Sequence, residues 1–277
     1  MKKIIFLLSL LISISVNAQD SLVSFQSVFS IKGPCSHFTT DNLGNIYTVH
    51  KDRITKYSPQ GDSLCSQSFK WMGEITSIDA TNALRIVAFS RDLNRLMILD
   101  NTLSVQGEVI KLEDLGLQFT SLVCQSPNNN NLWVYNMEEF RLLRLNKDFT
   151  VANNSGNLTQ VLGISINPVF IAEYNNYLYV SDPDVGILVF DMFAGYVKTL
   201  PVKEKNYFQV VNNKIYSLHN GMKYDKLNWY DVTDHSQGSY ELDYWMGSQF
   251  RIENSRLYVK MEGDGPIDVF DIVTGKK

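Results

Sequence analysis

A chain of 277 residues that is 44% apolar and 12% aromatic carries enough apolar side chain for a sizeable folded core. Its 25 basic and 29 acidic residues leave a formal charge of −4, and no basic run occurs, which argues against binding of nucleic-acid phosphates.

The first element is a signal peptide over residues 1–18. Lys2 and Lys3 supply its positive start, Ile4 to Val16 are apolar apart from three serines, and Val16 and Ala18 present modest side chains to a peptidase. The run is short for a bilayer and no second one follows, so no transmembrane segment is expected in the mature chain. Cleavage after Ala18 leaves 23 basic and 29 acidic residues, a net charge of −6, with no cysteine at the new start to carry a lipid. The expected location is periplasmic or secreted.

Residues 19–277 read as one all-β domain. Leu22–Ile31 comes first, strand-like in its apolar positions but without a partner nearby. Then short strands open at Ile46-Tyr47, Ile86-Val87, Leu132-Trp133, Leu178-Tyr179, Ile215-Tyr216 and Leu257-Tyr258, spaced 40, 46, 46, 37 and 42 residues apart. Each has a partner, ending at Tyr57-Ser58, Leu99-Asp100, Leu145-Asn146, Phe190-Asp191, Tyr230-Asp231 and Phe270-Asp271. A period of roughly 42 built from strands and turns predicts one four-stranded sheet per repeat, arranged radially as a six-bladed β-propeller.

In the first repeat the strands are predicted over 37–40, 45–50, 53–57 and 63–69, joined by the turns Asp41-Asn42-Leu43-Gly44 and Ser58-Pro59-Gln60-Gly61. The second repeat is predicted over 75–79, 85–89, 95–99 and 107–112, and the fourth over 169–174, 177–181, 186–190 and 196–202. The sixth supplies only 249–253, 256–260 and 267–270 before the chain runs out. Leu22–Ile31 is therefore expected to return as the outer strand of the last blade, which removes the exposed edge an open array would keep.

Asp41-Asn42-Leu43-Gly44-Asn45-Ile46-Tyr47 followed by Arg53-Ile54-Thr55-Lys56-Tyr57-Ser58-Pro59-Gln60-Gly61 resembles a blade of the NHL-repeat and related six-bladed propellers. Ile187–Asp191 with Gly195 and Ile267–Asp271 with Gly275 repeat the second half of that pattern. The resemblance implies the architecture, and the composition resembles secreted envelope proteins of Bacteroidota. Such propellers include scaffolds, sugar-lactone hydrolases and lyases, so the resemblance leaves the activity open.

No nucleophile elbow, zinc-protease helix or phosphate loop is present. The loops after the second strands place His50, Ser90, Asn136, Asp182, His219 and Met261 at equivalent points around one rim. His50 and His219 are too far apart in the ring to share a metal readily, and Asp182-Pro183-Asp184 opens like a calcium loop but lacks its closing ligands. No metal and no cofactor are expected. The repeated Asp100, Asp191, Asp231 and Asp271 are read as turn caps. Thr39, Asp79, Glu173, Gln209, Arg251 and Glu253 are expected on the channel walls, with Glu173, Arg251 and Glu253 as an ion-pair cluster. Cys35, Cys65 and Cys124 match no metal or redox spacing and are expected to stay unpaired.

The strongest surface signal is a repeated tripeptide. Trp71-Met72-Gly73 and Trp245-Met246-Gly247 each lead into a new blade, the second preceded by Tyr244. These residues either wedge between blades or form a contact patch. The reading adopted is a non-catalytic binding or assembly module whose partner is an envelope or secreted protein. Its contact face would comprise Trp71, Met72, Tyr244, Trp245, Met246, His50, Asp182 and His219. The alternatives are a metal-assisted hydrolase or lyase of the sugar-lactonase kind, and a glycan or small-ligand binder.

Overall fold

The computed structural model describes residues 22–275 apart from 128, 204–206, 222–223 and 243–246. The leader lies outside the described residues, as do Tyr244, Trp245 and Met246.

Six four-stranded antiparallel sheets form the protein. Blade 1 comprises His37–Thr40, Ile46–His50, Arg53–Tyr57 and Ser63–Ser68, from the inner strand outwards. Blade 2 comprises Ser77–Asp79, Ile86–Ser90, Arg95–Leu99 and Ile110–Lys111. Blade 3 comprises Thr120–Gln125, Leu132–Asn136, Arg141–Leu145 and Val151–Asn154. Blade 4 comprises Phe170–Tyr174, Tyr177–Asp182, Gly186–Asp191 and Tyr196–Leu200. Blade 5 comprises Phe208–Val211, Lys214–His219, Asp225–Asp231 and Gln237–Leu242. The inner strands of neighbouring blades touch all the way round, so the ring is closed.

Blade 6 closes it as expected. Gly247–Glu253, Arg256–Met261 and Ile267–Gly275 come from the C-terminal end, and Leu22–Ile31 supplies the outer strand, paired from Leu22 opposite Gly275 to Ile31 opposite Ile267 with a one-residue bulge between Ser27 and Phe29. The third strand runs past Phe270 to Gly275 because the returning N-terminal strand gives it a partner there. Asp271 accordingly sits inside a strand and pairs with Arg256 at 3.0 Å, where the sequence suggests a turn cap.

The other turn aspartates behave as read. Asp100 accepts the backbone N–H of Thr102 and Ser104, Asp191 those of Phe193 and Gly195, and Asp231 that of Thr233. Blade 2 departs from expectation in its outer strand, which is only Ile110–Lys111. The chain turns instead into a 3-10 turn over Leu112–Leu115, its Leu112 N–H donating to Asn94 O at 3.0 Å.

The core is divided into six wedges, one at each blade junction. In blade 1, Tyr47, Val49 and Ile54 face blade 2, while Phe38 and Ile46 face Tyr258, Ile267 and Val269 of blade 6. Sheets covered on both faces explain why the second strands are nearly continuous apolar runs. The three cysteines are free; Cys35 and Cys124 are buried, and burial pushes the Cys35 thiol up to about 11.

Candidate functional site

A cavity of about 860 Å3 occupies the centre of the ring. Thr39, Asp79, Glu173, Gln209, Arg251 and Glu253 all line it, as the sequence suggests. The expected ion-pair cluster is not formed. Glu173 accepts from Ser126 Oγ at 2.8 Å and from Trp133 Nε1, and Arg251 donates to Tyr207 OH at 2.8 Å and Thr40 Oγ1 at 3.4 Å. None of the four ion pairs among the described residues lies in the channel. Burial raises the Glu253 carboxyl above its ordinary range, and Arg251 opposes the shift.

Glutamines do work here that the sequence did not disclose. Each inner strand is a sheet edge whose alternate N–H and C=O groups face away from its own blade. Gln249 of blade 6 covers that edge in blade 1, accepting from Phe38 N–H and donating to Phe38 O, both at 3.0 Å. Gln209 of blade 5 does the same for Ile252 of blade 6, at 2.7 and 2.8 Å. Gln125 of blade 3 donates to Asp79 O at 2.8 Å, and its own backbone N–H donates to the Asp79 carboxylate at 2.8 Å.

The blade-to-blade connectors and the hairpins between second and third strands share one face of the ring, here termed the connector face. His50, Ser90, Asn136, Asp182, His219 and Met261 end their strands at this face, as expected. They are not a ligand ring. Asn136 and Asp182 are buried turn caps; Asp182 accepts from the N–H groups of Asp184, Val185 and Asn167. Asp182 is thus buried and committed to its own turn, which takes it off the open contact face expected of it. His50 stands 3.4 Å from Asp264 across the junction of blades 1 and 6, and His219 is exposed. Among the described residues no three His, Cys, Asp or Glu side chains gather as a metal site.

The Trp-Met-Gly connector resolves into two opposite roles. Residues Lys70–Met72 form a 3-10 turn that sends Met72 fully into the wedge between blades 1 and 2 and leaves Trp71 44% exposed, edge-on to Phe69 at 5.8 Å. Met72 thus leaves the proposed contact face and Trp71 stays on it.

Trp71 is not alone. The hairpin of blade 2 exposes Leu93, the connector to blade 3 exposes Leu115 and Phe119, and the hairpin of blade 3 exposes Met137 and Phe140. The connector to blade 4, which carries the short helix Leu158–Leu162, exposes Val161 and Ile164. Eight of the nineteen large apolar side chains described as exposed therefore lie on one arc of the connector face. The arc is continuous: Arg95 donates to Trp71 O, Asn94 Nδ2 to Leu117 O at 2.8 Å, Met137 N–H to Phe119 O at 3.1 Å and Leu158 N–H to Phe140 O at 2.7 Å. Phe140 occupies the left-handed turn position that Asn94 fills in blade 2, and Phe119 is left-handed too, at φ 58°. Bulky residues are disfavoured in that conformation, so turn geometry does not explain their choice. The sequence signal for this arc was weak, because its members sit on five separate loops.

The sequence matches no family profile, and no curated protein matches it either. Solved structures do resemble it. Virginiamycin B lyase from Staphylococcus aureus superposes with a TM-score of 0.63 at 10% identity, over 91% of this chain and 100% of that one. BamB from Moraxella catarrhalis gives 0.57 at 10% identity, over 90% and 100%. The Pan2 WD40 domain of Neurospora crassa gives 0.56 at 10% identity, over 86% and 89%. Identities this low establish the propeller fold alone. No helix among the described residues is long and apolar enough to cross a membrane.

Proposed function

We propose that the protein is a non-catalytic, NHL-like binding module of the cell envelope, exported by its leader, that holds a protein partner on the arc from Trp71 to Ile164. The observation that carries this reading is the continuity of the arc. Large apolar patches on a soluble surface are uncommon and mark sites of association, and aromatic and Met side chains suit them. The arc's eight members come from the loops between the outer end of blade 1 and the start of blade 4. The acidic mature chain and the fold's use in proteins as different as a lyase and a WD40 domain are compatible with this reading without selecting it.

The experiment is site-specific photo-crosslinking in the native envelope. A photoreactive residue at Phe119 should give a discrete adduct that disappears in the Trp71→Ser/Phe140→Ser variant, while one at Leu64, on the exposed outer strand of blade 1, should give none. Equal adducts from both positions would sink the proposal. The central cavity supports a second reading, a small-ligand or glycan binder, because its volume lies within the range of ligand sites.

A further inference from the structure

The arc of apolar side chains has a cation at its inner margin. Arg91 follows the second strand of blade 2 and stands, in ring order, between the Trp71 connector and the Phe119 connector. Its backbone N–H donates to Thr76 Oγ1 at 3.0 Å and its Nε–H to Ser121 O at 3.1 Å. The side chain is thereby held at its base across the start of blade 3's inner strand. Arg91 is exposed, lines the central cavity and takes part in none of the ion pairs among the described residues. A guanidinium fixed along one edge, with its terminal nitrogens open, has the geometry to grip a carboxylate through two parallel hydrogen bonds.

Two further groups at the same mouth lack partners. Ser121 Oγ and His37 Nε2 are enclosed, make no hydrogen bond, and belong to residues lining the same cavity. His37 and Ser121 stand at the beginnings of the inner strands of blades 1 and 3, so both lie towards the connector face. Buried polar groups without partners are uncommon in native proteins and mark places where a partner is missing. Deeper in the channel the walls carry three carboxylates and one further cation, Arg251, which donates to Tyr207 OH and Thr40 Oγ1. Asp79, Glu173 and Glu253 lie at the opposite ends of their inner strands. An acid entering from the connector face meets Arg91 before it reaches any other charged side chain of the channel.

Building on the proposed partner-binding face, we propose that its occupant is an extended polypeptide segment in which an acidic side chain, flanked by apolar residues, is received by Arg91 at the channel mouth. A small free acid would satisfy Arg91 but leave Trp71 and Leu93 on one side, and Phe119 and Met137 on the other, uncovered. A segment with apolar side chains on both sides of the acid covers all of them.

The test is fluorescence anisotropy with the full mature chain and a labelled seven-residue probe. The probe is acetylated and amidated, with glutamate at its centre, leucine and phenylalanine two positions to either side, and serine elsewhere. The glutamate probe should bind about tenfold or more tightly than its glutamine counterpart, since hydrogen bonds to charged groups are the strong ones. Arg91→Gln should abolish that difference, weakening the glutamate probe far more than the glutamine probe, and Arg91→Lys should restore only part of it. Unchanged melting temperatures confirm that the variants fold. Equal binding of both probes to the wild type overturns the inference, as does an Arg91→Gln effect of the same size on both. So does binding that requires a free terminal carboxylate, or no binding of either probe at millimolar concentration. If both probes bind equally and both are lost with Trp71→Ser, the partner-binding face stands and only the role of Arg91 falls.

Discussion

Gln249→Ala tests how the ring is held. The substitution removes two hydrogen bonds at once, from Phe38 N–H and to Phe38 O, and both groups belong to a buried residue on the inner edge of blade 1. A neutral hydrogen bond contributes about 0.5–1.5 kcal/mol net, so the pair is worth about 1–3 kcal/mol. Water from the adjoining 860 Å3 cavity can replace part of the loss, which places the expected value in the lower half of that range. In a domain of this size the melting temperature should fall by about 2–8 °C. Gln249→Glu is the sharper variant. It keeps an acceptor for Phe38 N–H but sets a carboxylate against Phe38 O, so it should destabilise at least as much as alanine despite its closer shape. Gln209→Ala should behave like Gln249→Ala, since it frees the same pair of groups on Ile252. The assay is urea unfolding followed by circular dichroism, with melting temperatures in parallel. If both alanine variants lie within about 0.5 kcal/mol of wild type, water satisfies the inner edges and the glutamines do not hold the blades together.

Neighbouring residues in one connector should respond in opposite ways. Met72→Ala should cost about 2–5 kcal/mol because it leaves a cavity in the wedge between blades 1 and 2, whereas Trp71→Ser should cost about 1 kcal/mol or less. Similar losses in urea unfolding would mean that Trp71 also wedges the blades. His37 carries a pH dependence. Burial, with a smaller contribution from Lys260, pushes its imidazole from 6.5 down to about 4. The unfolded chain takes up a proton near pH 6.5 that the folded protein refuses until about pH 4. Stability is therefore complete above the upper value and falls as the pH drops between the two, by up to about 3 kcal/mol. Urea midpoints at pH 7 and pH 4.5 should diverge in the wild type and draw together in His37→Gln; an unchanged gap in the variant would assign the acid sensitivity to other groups.

Blade number, strand order within each blade and ring closure by Leu22–Ile31 were legible in the sequence. They rest on local chemistry: apolar strands at a repeating interval, aspartates that cap their own turns, and a surplus strand matched by a missing one. The residues that would line the channel were legible for the same reason, since their places follow from counting along the inner strands. Which side chains meet across the ring was not. Gln249 and Phe38 stand 211 positions apart, and nothing near either announces the other. Met72 and Trp71 look alike as apolar neighbours, yet the 3-10 turn over Lys70–Met72 breaks the strand alternation that would have told inside from outside. The apolar arc beside Arg91 exists only after five loops from blades 1 to 4 are brought side by side. Contacts between blades depend on the closed ring, which fixes distances between segments that the chain itself leaves independent.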